Sequence, residues 1–99
     1  MEELLELLDA AWDDETGFLG KLRSGQFDPA AGEAYVSLLS RIPEPGEMID
    51  SRLVQLIWFA PLFMEWQTER AAESEEESRQ LTRIATQVQE AIEGILGVP

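Results

Sequence analysis

Carboxylates are the side chains through which this sequence could do chemistry, because it contains neither histidine nor cysteine. Glu6, Asp9 and Asp13 follow one another at spacings of three and four residues. On a helix this spacing puts neighbouring side chains about 5 to 6 Å apart, roughly as successive phosphates lie on a nucleic-acid strand. Such a row can occupy the basic groove of a nucleic-acid enzyme. It is equally typical of the solvated side of a surface helix.

Two further acids, Asp14 and Glu15, extend this row into a dense cluster. Adjacent like charges repel one another, so a cluster of this kind favours a functional use more than scattered acids do. We therefore predict that the acidic residues of the amino-terminal segment steer a positively charged partner: Glu6, Asp9, Asp13, Asp14 and Glu15.

The residues and motifs that most enzymes rely on are missing. Without histidine or cysteine the chain lacks the commonest general base, thiolate metal ligands and disulfides. It also lacks an EF-hand loop, a glycine-rich phosphate loop and a nucleophile elbow. We expect a binding protein with no enzymatic activity, no cofactor and no bound metal.

The overall charge indicates which partners are suitable. Twenty acidic residues against seven basic ones give a formal net charge of −13, which repels nucleic acid and attracts basic surfaces. Direct binding of DNA or RNA is disfavoured, since that affinity depends on cationic side chains that neutralise phosphates. The acidity can also serve solubility alone.

The elements that must position these residues are helices. Residues 2–13 predict an amphipathic helix with its apolar side chains on one face and its acids on the other. It either continues or breaks near Thr16–Gly17, where Asp14 or Thr16 can cap a second helix. We favour the break, and Gly25 is expected to end that second helix.

Two more helices have clear boundaries. Asp28 and Pro29 predict the start of a helix over residues 29–41. Apolar residues at spacings of three and four predict a last helix over 75–96 with a single buried stripe. The predicted fold is an all-α bundle of four to five helices in a single domain, residues 1–99.

The central stretch LIWFAPLFMEW, residues 56–66, is the most apolar part of the chain. Its apolar run covers residues 53–64, whereas a membrane-spanning helix needs about 20 residues, so we expect no membrane insertion. Pro61 predicts one bent helix over residues 47–72 or two helices that meet at Ala60–Pro61. We favour the bent helix, because the apolar residues keep helical spacing across the proline.

Most of these aromatic residues are expected in the core, but adjacent ones cannot all point inward. Trp66, flanked by Glu65 and Glu69, is predicted to be exposed. An exposed tryptophan beside carboxylates is a good anchor for a protein partner. Trp12, next to the amino-terminal acids, is the other candidate anchor.

The stretches EELLELLDAAWDDE and MEWQTER carry a resemblance to small, acidic, helical bacterial immunity proteins. Proteins of that kind protect a cell by masking a toxic nuclease. The resemblance implies a basic protein partner, a toxin or nuclease, which this chain would inhibit by binding.

Two other functions remain open from the sequence. The chain can be a structural homo-oligomerisation module, such as a homodimer, that buries its surplus apolar surface against a second copy. It can also be a phage-type DNA mimic that inhibits a nucleic-acid enzyme. The acidic amino terminus does not resemble a secretory signal, so a cytoplasmic location is expected.

Overall fold

The computed structural model describes residues 2–43 and 48–97, apart from the side chain of Glu69. Over these residues the chain is all-α, which confirms the predicted class. Six helices are described where four or five are predicted, because the central helix is divided. They are α1 (Glu2–Ala10), α2 (Phe18–Arg23), α3 (Pro29–Ser40), α4 (Ser51–Ile57), α5 (Ala60–Ala71) and α6 (Glu75–Leu96).

Helix α6 lies at the centre of the packing, because both α3 and α5 pack along it. It begins at Glu75 since the Ser74 hydroxyl accepts a hydrogen bond from the amide of Glu77 at 3.1 Å. Its apolar stripe is buried as predicted, and burial of each such side chain contributes about 1.5 to 3 kcal/mol. The buried members of the stripe are Leu81, Ile84, Val88, Ile92 and Ile95.

Helix α3 begins as predicted. The Asp28 carboxylate accepts from the amide of Ala31 at 3.2 Å, and Pro29 occupies the first helical position. The preceding helix α2 ends before Gly25, whose φ of 82° is a left-handed conformation that suits glycine. The prediction that Gly25 stops this helix is therefore confirmed.

Helix α1 is shorter than the predicted range of residues 2–13, and this is a correction. It ends at Ala10, after which the amides of Trp12 and Asp13 donate to carbonyls three residues back. The Asp13 carboxylate then accepts from the amides of Glu15 and Thr16, at 2.9 and 3.0 Å. These side-chain bonds give the backbone an alternative to the helix, so the chain turns here.

The start of the central helix also differs from the prediction. Glu47, where it was expected to begin, lies outside the described residues, and Met48 to Asp50 are not helical. Helix α4 begins at Ser51 because the Asp50 carboxylate accepts from the amides of Arg52 and Leu53, at 2.8 and 3.3 Å.

Pro61 divides the central helix rather than bending a continuous one. Helix α4 ends at Ile57 and α5 begins at Ala60. Proline has no amide hydrogen to donate to the carbonyl of Ile57, four residues back. Trp58 and Phe59 keep right-handed helical dihedral angles between the two helices. The two-helix alternative is the one observed, and the preference for one bent helix was wrong.

Candidate binding surface

The central helices expose large apolar side chains on one side. Trp58, Leu62 and Trp66 are 56, 41 and 59% exposed. They follow one another at intervals of four residues, which places them along one face. We call these three residues the exposed stripe. The prediction that Trp66 is exposed is confirmed, whereas Trp58 and Leu62 were not predicted as surface residues.

Aromatic contacts hold the exposed stripe in place. The half-buried ring of Phe59 lies between its two tryptophans, with centroid distances of 5.3 Å to Trp58 and 5.6 Å to Trp66. The ring of Phe59 also contacts two further aromatic rings, with centroid distances of 6.0 Å to Phe63 and 6.4 Å to Trp12. Each such pair contributes about 0.5 to 1.5 kcal/mol beyond area burial. The exposed tryptophans therefore rest on an ordered aromatic base, which consists of the rings of Phe59, Phe63 and Trp12.

Trp12 belongs to this base rather than projecting from it. Its indole nitrogen donates to the carbonyl of Leu56 at 2.8 Å, and its ring lies 5.2 Å from that of Phe63. The indole hydrogen bond ties the segment after α1 to α4. Trp12 thus forms a partly buried wall of the surface, and its single donor is already used.

The acidic turn, residues 13–16, follows Trp12. Asp13 organises it, because its carboxylate also accepts from the Thr16 hydroxyl at 3.1 Å. The amide of Glu15, and then that of Thr16, lower the pKa of Asp13 below its usual value. The Thr16 hydroxyl is therefore used within the turn and does not cap α2. Helix α2 follows Gly17 and has no side-chain cap. The predicted cap by Asp14 or Thr16 was wrong.

The row of evenly spaced carboxylates is interrupted. Glu6 and Asp9 lie on α1, but Asp13 lies beyond its end. Asp9 pairs with Arg52 at 3.6 Å and Asp14 with Arg23 at 3.1 Å. These are exposed ion pairs, which contribute about 1 kcal/mol or less. They offset part of the negative charge at this end of the molecule, while Glu6 and Glu15 are solvent-exposed.

The acids predicted around Trp66 do not all share its face. Glu65 lines a shallow groove between α5 and α6, together with Thr68 and Gln89. Adjacent helical residues point about 100° apart, so Glu65 and Trp66 face different directions. Glu69 is in α5, and its side chain lies outside the described part of the chain.

A cleft of about 520 Å³ opens beside the exposed stripe and brings the two predicted regions together. Rings of Trp12, Trp58 and Phe59 form its apolar walls, and Asp9 and Arg23 are its charged residues. Gln55 and Leu56 complete the lining. Asp9 and Trp12 from the amino-terminal segment therefore meet Trp58 from the central stretch.

A second groove, of about 610 Å³, lies between α1 and α3. It is lined mostly by alanines and other apolar side chains, with Thr16, Ser37 and Arg41 at its polar positions. The Tyr35 hydroxyl is buried there without a hydrogen-bond partner among the described residues. Burial raises the pKa of Tyr35, so this phenol stays neutral and offers no charge to a ligand.

Three contributors to the surface were missed from the sequence. Trp58 and Leu62 could have been found from their four-residue spacing to Trp66, which marks one helical face. No sequence pattern pointed to Arg23. Its guanidinium lies 5.5 Å from the ring centroid of Phe63, and this contact depends on how α2 packs against α5.

Comparisons with protein-family models, curated proteins and solved structures find no match for the chain. Within residues 2–43 and 48–97, no three acidic side chains gather closely enough to hold a metal ion. None of the helices described is both long and apolar enough to cross a membrane.

Proposed function

We propose that the chain is an acidic protein-binding module of the immunity or inhibitor type, which masks a basic surface of a toxin or nuclease. Its docking surface is centred on the exposed stripe, and the predicted acids of α1 and the acidic turn serve as steering groups, of which Asp9 lines the adjoining cleft. The observation that carries the proposal is the exposure of Trp58, Leu62 and Trp66 along one face.

The exposed stripe supports binding because apolar groups on a surface gain free energy when a partner covers them. Contiguous exposed apolar side chains are typical of interaction sites. Tryptophan is enriched among the residues that dominate binding energy at interfaces. Trp58 and Trp66 also start from ordered positions against Phe59, so little side-chain entropy is lost on docking.

The charge supports a basic partner. A net charge of −13 on a 99-residue chain attracts cationic surfaces over a distance set by the ionic strength. Complementary charge of this kind raises the association rate, while buried contacts set the lifetime of the complex. The acids would therefore steer the partner and the exposed stripe would hold it.

The exposed stripe also favours a second candidate, the homo-oligomerisation module. Two copies could cover their exposed stripes against one another. Self-repulsion between two chains of charge −13 opposes this pairing. Sedimentation at micromolar concentration separates the candidates: a monomer supports an external partner, and a stable dimer supports the module.

The DNA-mimic alternative receives less support. Mimicry needs a regular row of free carboxylates, but Asp13 lies outside α1 and Asp9 is paired with Arg52. Glu6, Asp9 and Asp13 therefore do not lie along one face of a single helix.

The proposal is tested by affinity capture from the native host with three forms of the chain: wild type, the double variant Trp58→Ala/Trp66→Ala, and Met48→Ala. Met48 is the matched control, because it is 91% exposed and lies in the segment before α4. We expect wild type and Met48→Ala to retain one basic protein, and the double variant to lose it.

Salt and activity measurements complete this test. Capture should weaken between about 0.05 and 0.5 M salt, because screening shortens the reach of the charges. The purified partner should be toxic or nucleolytic, and an equimolar amount of the chain should inhibit it. Retention of the same protein by the double variant, or an acidic partner, would contradict the proposal.

A further inference from the structure

The cleft beside the exposed stripe combines features that recognise a flat organic cation. Three of its walls are aromatic rings, from Trp12, Trp58 and Phe59. Asp9 supplies a carboxylate at the same cleft, and Gln55 an exposed amide. Arg23, the other charged residue of the lining, pairs with Asp14, which offsets its positive charge. Aromatic faces attract cations through the ring quadrupole, and a carboxylate adds charge-assisted hydrogen bonds.

The ring geometry selects Trp58 as the face that a ligand can use. The rings of Trp12 and Phe59 are nearly parallel, at 14°, with centroids 6.4 Å apart. A flat group needs about 7 Å between two rings, twice the carbon contact distance, so it does not fit between this pair. Trp58 is 56% exposed and its ring is tilted by 48° from that of Phe59, so more than half of its side chain is accessible to a ligand.

The molecule already places one guanidinium against a neighbouring ring, that of Phe63, which contacts the rings of Trp12 and Phe59. Arg23 lies with its guanidinium carbon 5.5 Å from the centroid of Phe63 while it pairs with Asp14. This arrangement combines a ring face with a carboxylate. Trp58 and Asp9 bring the same two kinds of group to the lining of the cleft.

Asp9 retains acceptor capacity for a ligand. Its contact with Arg52 is 3.6 Å long, which is beyond the length of a strong charge-assisted hydrogen bond. A carboxylate has about four acceptor positions. Both Asp9 and Arg52 are more than half exposed, so the existing pair is weak and can be displaced.

We infer that this cleft is an arginine-binding site, in which a guanidinium from a basic partner stacks on Trp58 and pairs with Asp9. The inference rests on the proposed function and names the side chain that the partner inserts. Arginine fits better than lysine, because its planar group stacks on aromatic rings and forms two parallel hydrogen bonds with a carboxylate. The net charge of −13 favours the approach of such a cation.

The test uses N-acetyl-L-arginine amide as the probe, with the citrulline and lysine analogues as controls. Citrulline has nearly the same shape as arginine but no charge. The indole NMR signals of the chain report binding, and Trp66 serves as an internal reference outside the cleft. We expect a saturable shift of the Trp58 signal, with arginine binding about threefold to tenfold more tightly than citrulline.

Three variants test whether Asp9 is the carboxylate that pairs with the arginine probe. Asp9→Asn should weaken arginine amide binding about twofold to fivefold, while Glu90→Gln, which removes an exposed carboxylate from α6, should leave it unchanged. Arg52→Gln should strengthen binding about twofold, because Asp9 loses its internal partner.

Equal binding of arginine and citrulline amides, or unchanged binding to Asp9→Asn, would overturn the arginine site. Equal binding of the lysine analogue would overturn the choice of arginine. These results would leave the proposed function intact if Trp58→Ala/Trp66→Ala still loses the captured partner. If the double variant keeps that partner, the proposed function fails whatever the probe shows.

Discussion

Helix α6 and the central pair α4 and α5 are both rich in apolar residues, yet only the central pair leaves large ones exposed. The apolar residues of α6 occupy one stripe, and α3 and α5 cover that stripe. The central pair is apolar on several sides. It packs against α1, α2 and α6, and the face with Trp58, Leu62 and Trp66 stays uncovered.

The difference between α6 and the central pair shows which apolar residues stabilise the fold and which are free to bind a partner. A helix with one apolar stripe can be buried completely by two neighbours. A helix that has more apolar faces than neighbouring helices keeps some apolar side chains uncovered. These side chains lie at the surface and are available to a partner. The number of covering helices, and not hydrophobicity alone, decides which residues belong to the core.

The largest expected effect comes from adding one methyl group at a helix position that another segment covers and at one that is open. A Cβ at Gly20 in α2 would overlap the backbone carbonyl of Asp13, so the acidic turn would have to move. A Cβ at Gly94 in α6 would meet nothing within 4 Å. Gly20→Ala should destabilise the fold by about 4 kcal/mol or more. Gly94→Ala should stabilise it by about 0.5 to 1 kcal/mol.

Urea unfolding followed by circular dichroism measures both glycine variants. Equal stability of the two would show that the turn does not pack closely on α2. That result would contradict the close packing of Asp13 on Gly20, which favours the turn over a longer α1.

A second, smaller effect compares a core residue with a stripe residue directly. Leu81 is fully buried in α6, and Trp66 is 59% exposed in α5. Leu81→Ala should cost about 2 to 5 kcal/mol, because it leaves a cavity. Trp66→Ala removes a larger side chain but should cost only about 1 kcal/mol or less, through its contact with Phe59.

The free energies of unfolding of these two variants can be compared by chemical denaturation. A larger loss for Trp66→Ala than for Leu81→Ala would mean that the tryptophan is a structural residue. The division between a buried stripe and a binding stripe would then be wrong.

The smallest effect concerns the charge of the acidic turn. Hydrogen bonds from the amides of Glu15 and Thr16 lower the pKa of Asp13 in the folded state. Its stabilising contribution is therefore present above the unfolded-state pKa of about 3.9 and is lost as the pH falls through the lower folded-state value. Asp13→Asn lacks this charge at every pH.

Thermal unfolding of wild type and Asp13→Asn between about pH 6 and pH 2 measures this effect. We expect wild type to be the more stable form above about pH 5, and the difference to shrink towards pH 2. Asp14→Asn is the matched control, because Asp14 makes only a side-chain contact with Arg23 among the bonds described. If the difference in stability between wild type and Asp13→Asn did not change with pH, the role of Asp13 in the turn would be contradicted.

Much of the fold was predictable from short-range signals. Asp28 with Pro29, and Gly25, each mark a helix end through contacts within a few residues, and both act as expected. The predicted start of the last helix at Glu75 is also observed. The end of α1 was missed, because Asp13 can extend a helix or turn the chain, and packing against Gly20 favours the turn.

The candidate surface was predictable only in part. The exposure of Trp66 followed from the crowding of adjacent aromatics, which cannot all be buried in a small bundle. The assignment of Glu65 to the same surface stays a prediction, since Glu65 is exposed but lines the groove beside α6. The pairing of Asp9 with Arg52 joins residues 43 positions apart, and no local pattern encodes it.

The sequence by itself determined the all-α class, most helix boundaries, the acidic charge and the surplus of apolar residues. These properties depend on composition, periodicity and capping, which act within one or two helical turns. Only the tertiary structure decided which apolar residues stay exposed and which acids meet them. Burial and long-range ion pairs depend on which helices cover which faces, and here that places Trp58 beside Asp9 in one cleft.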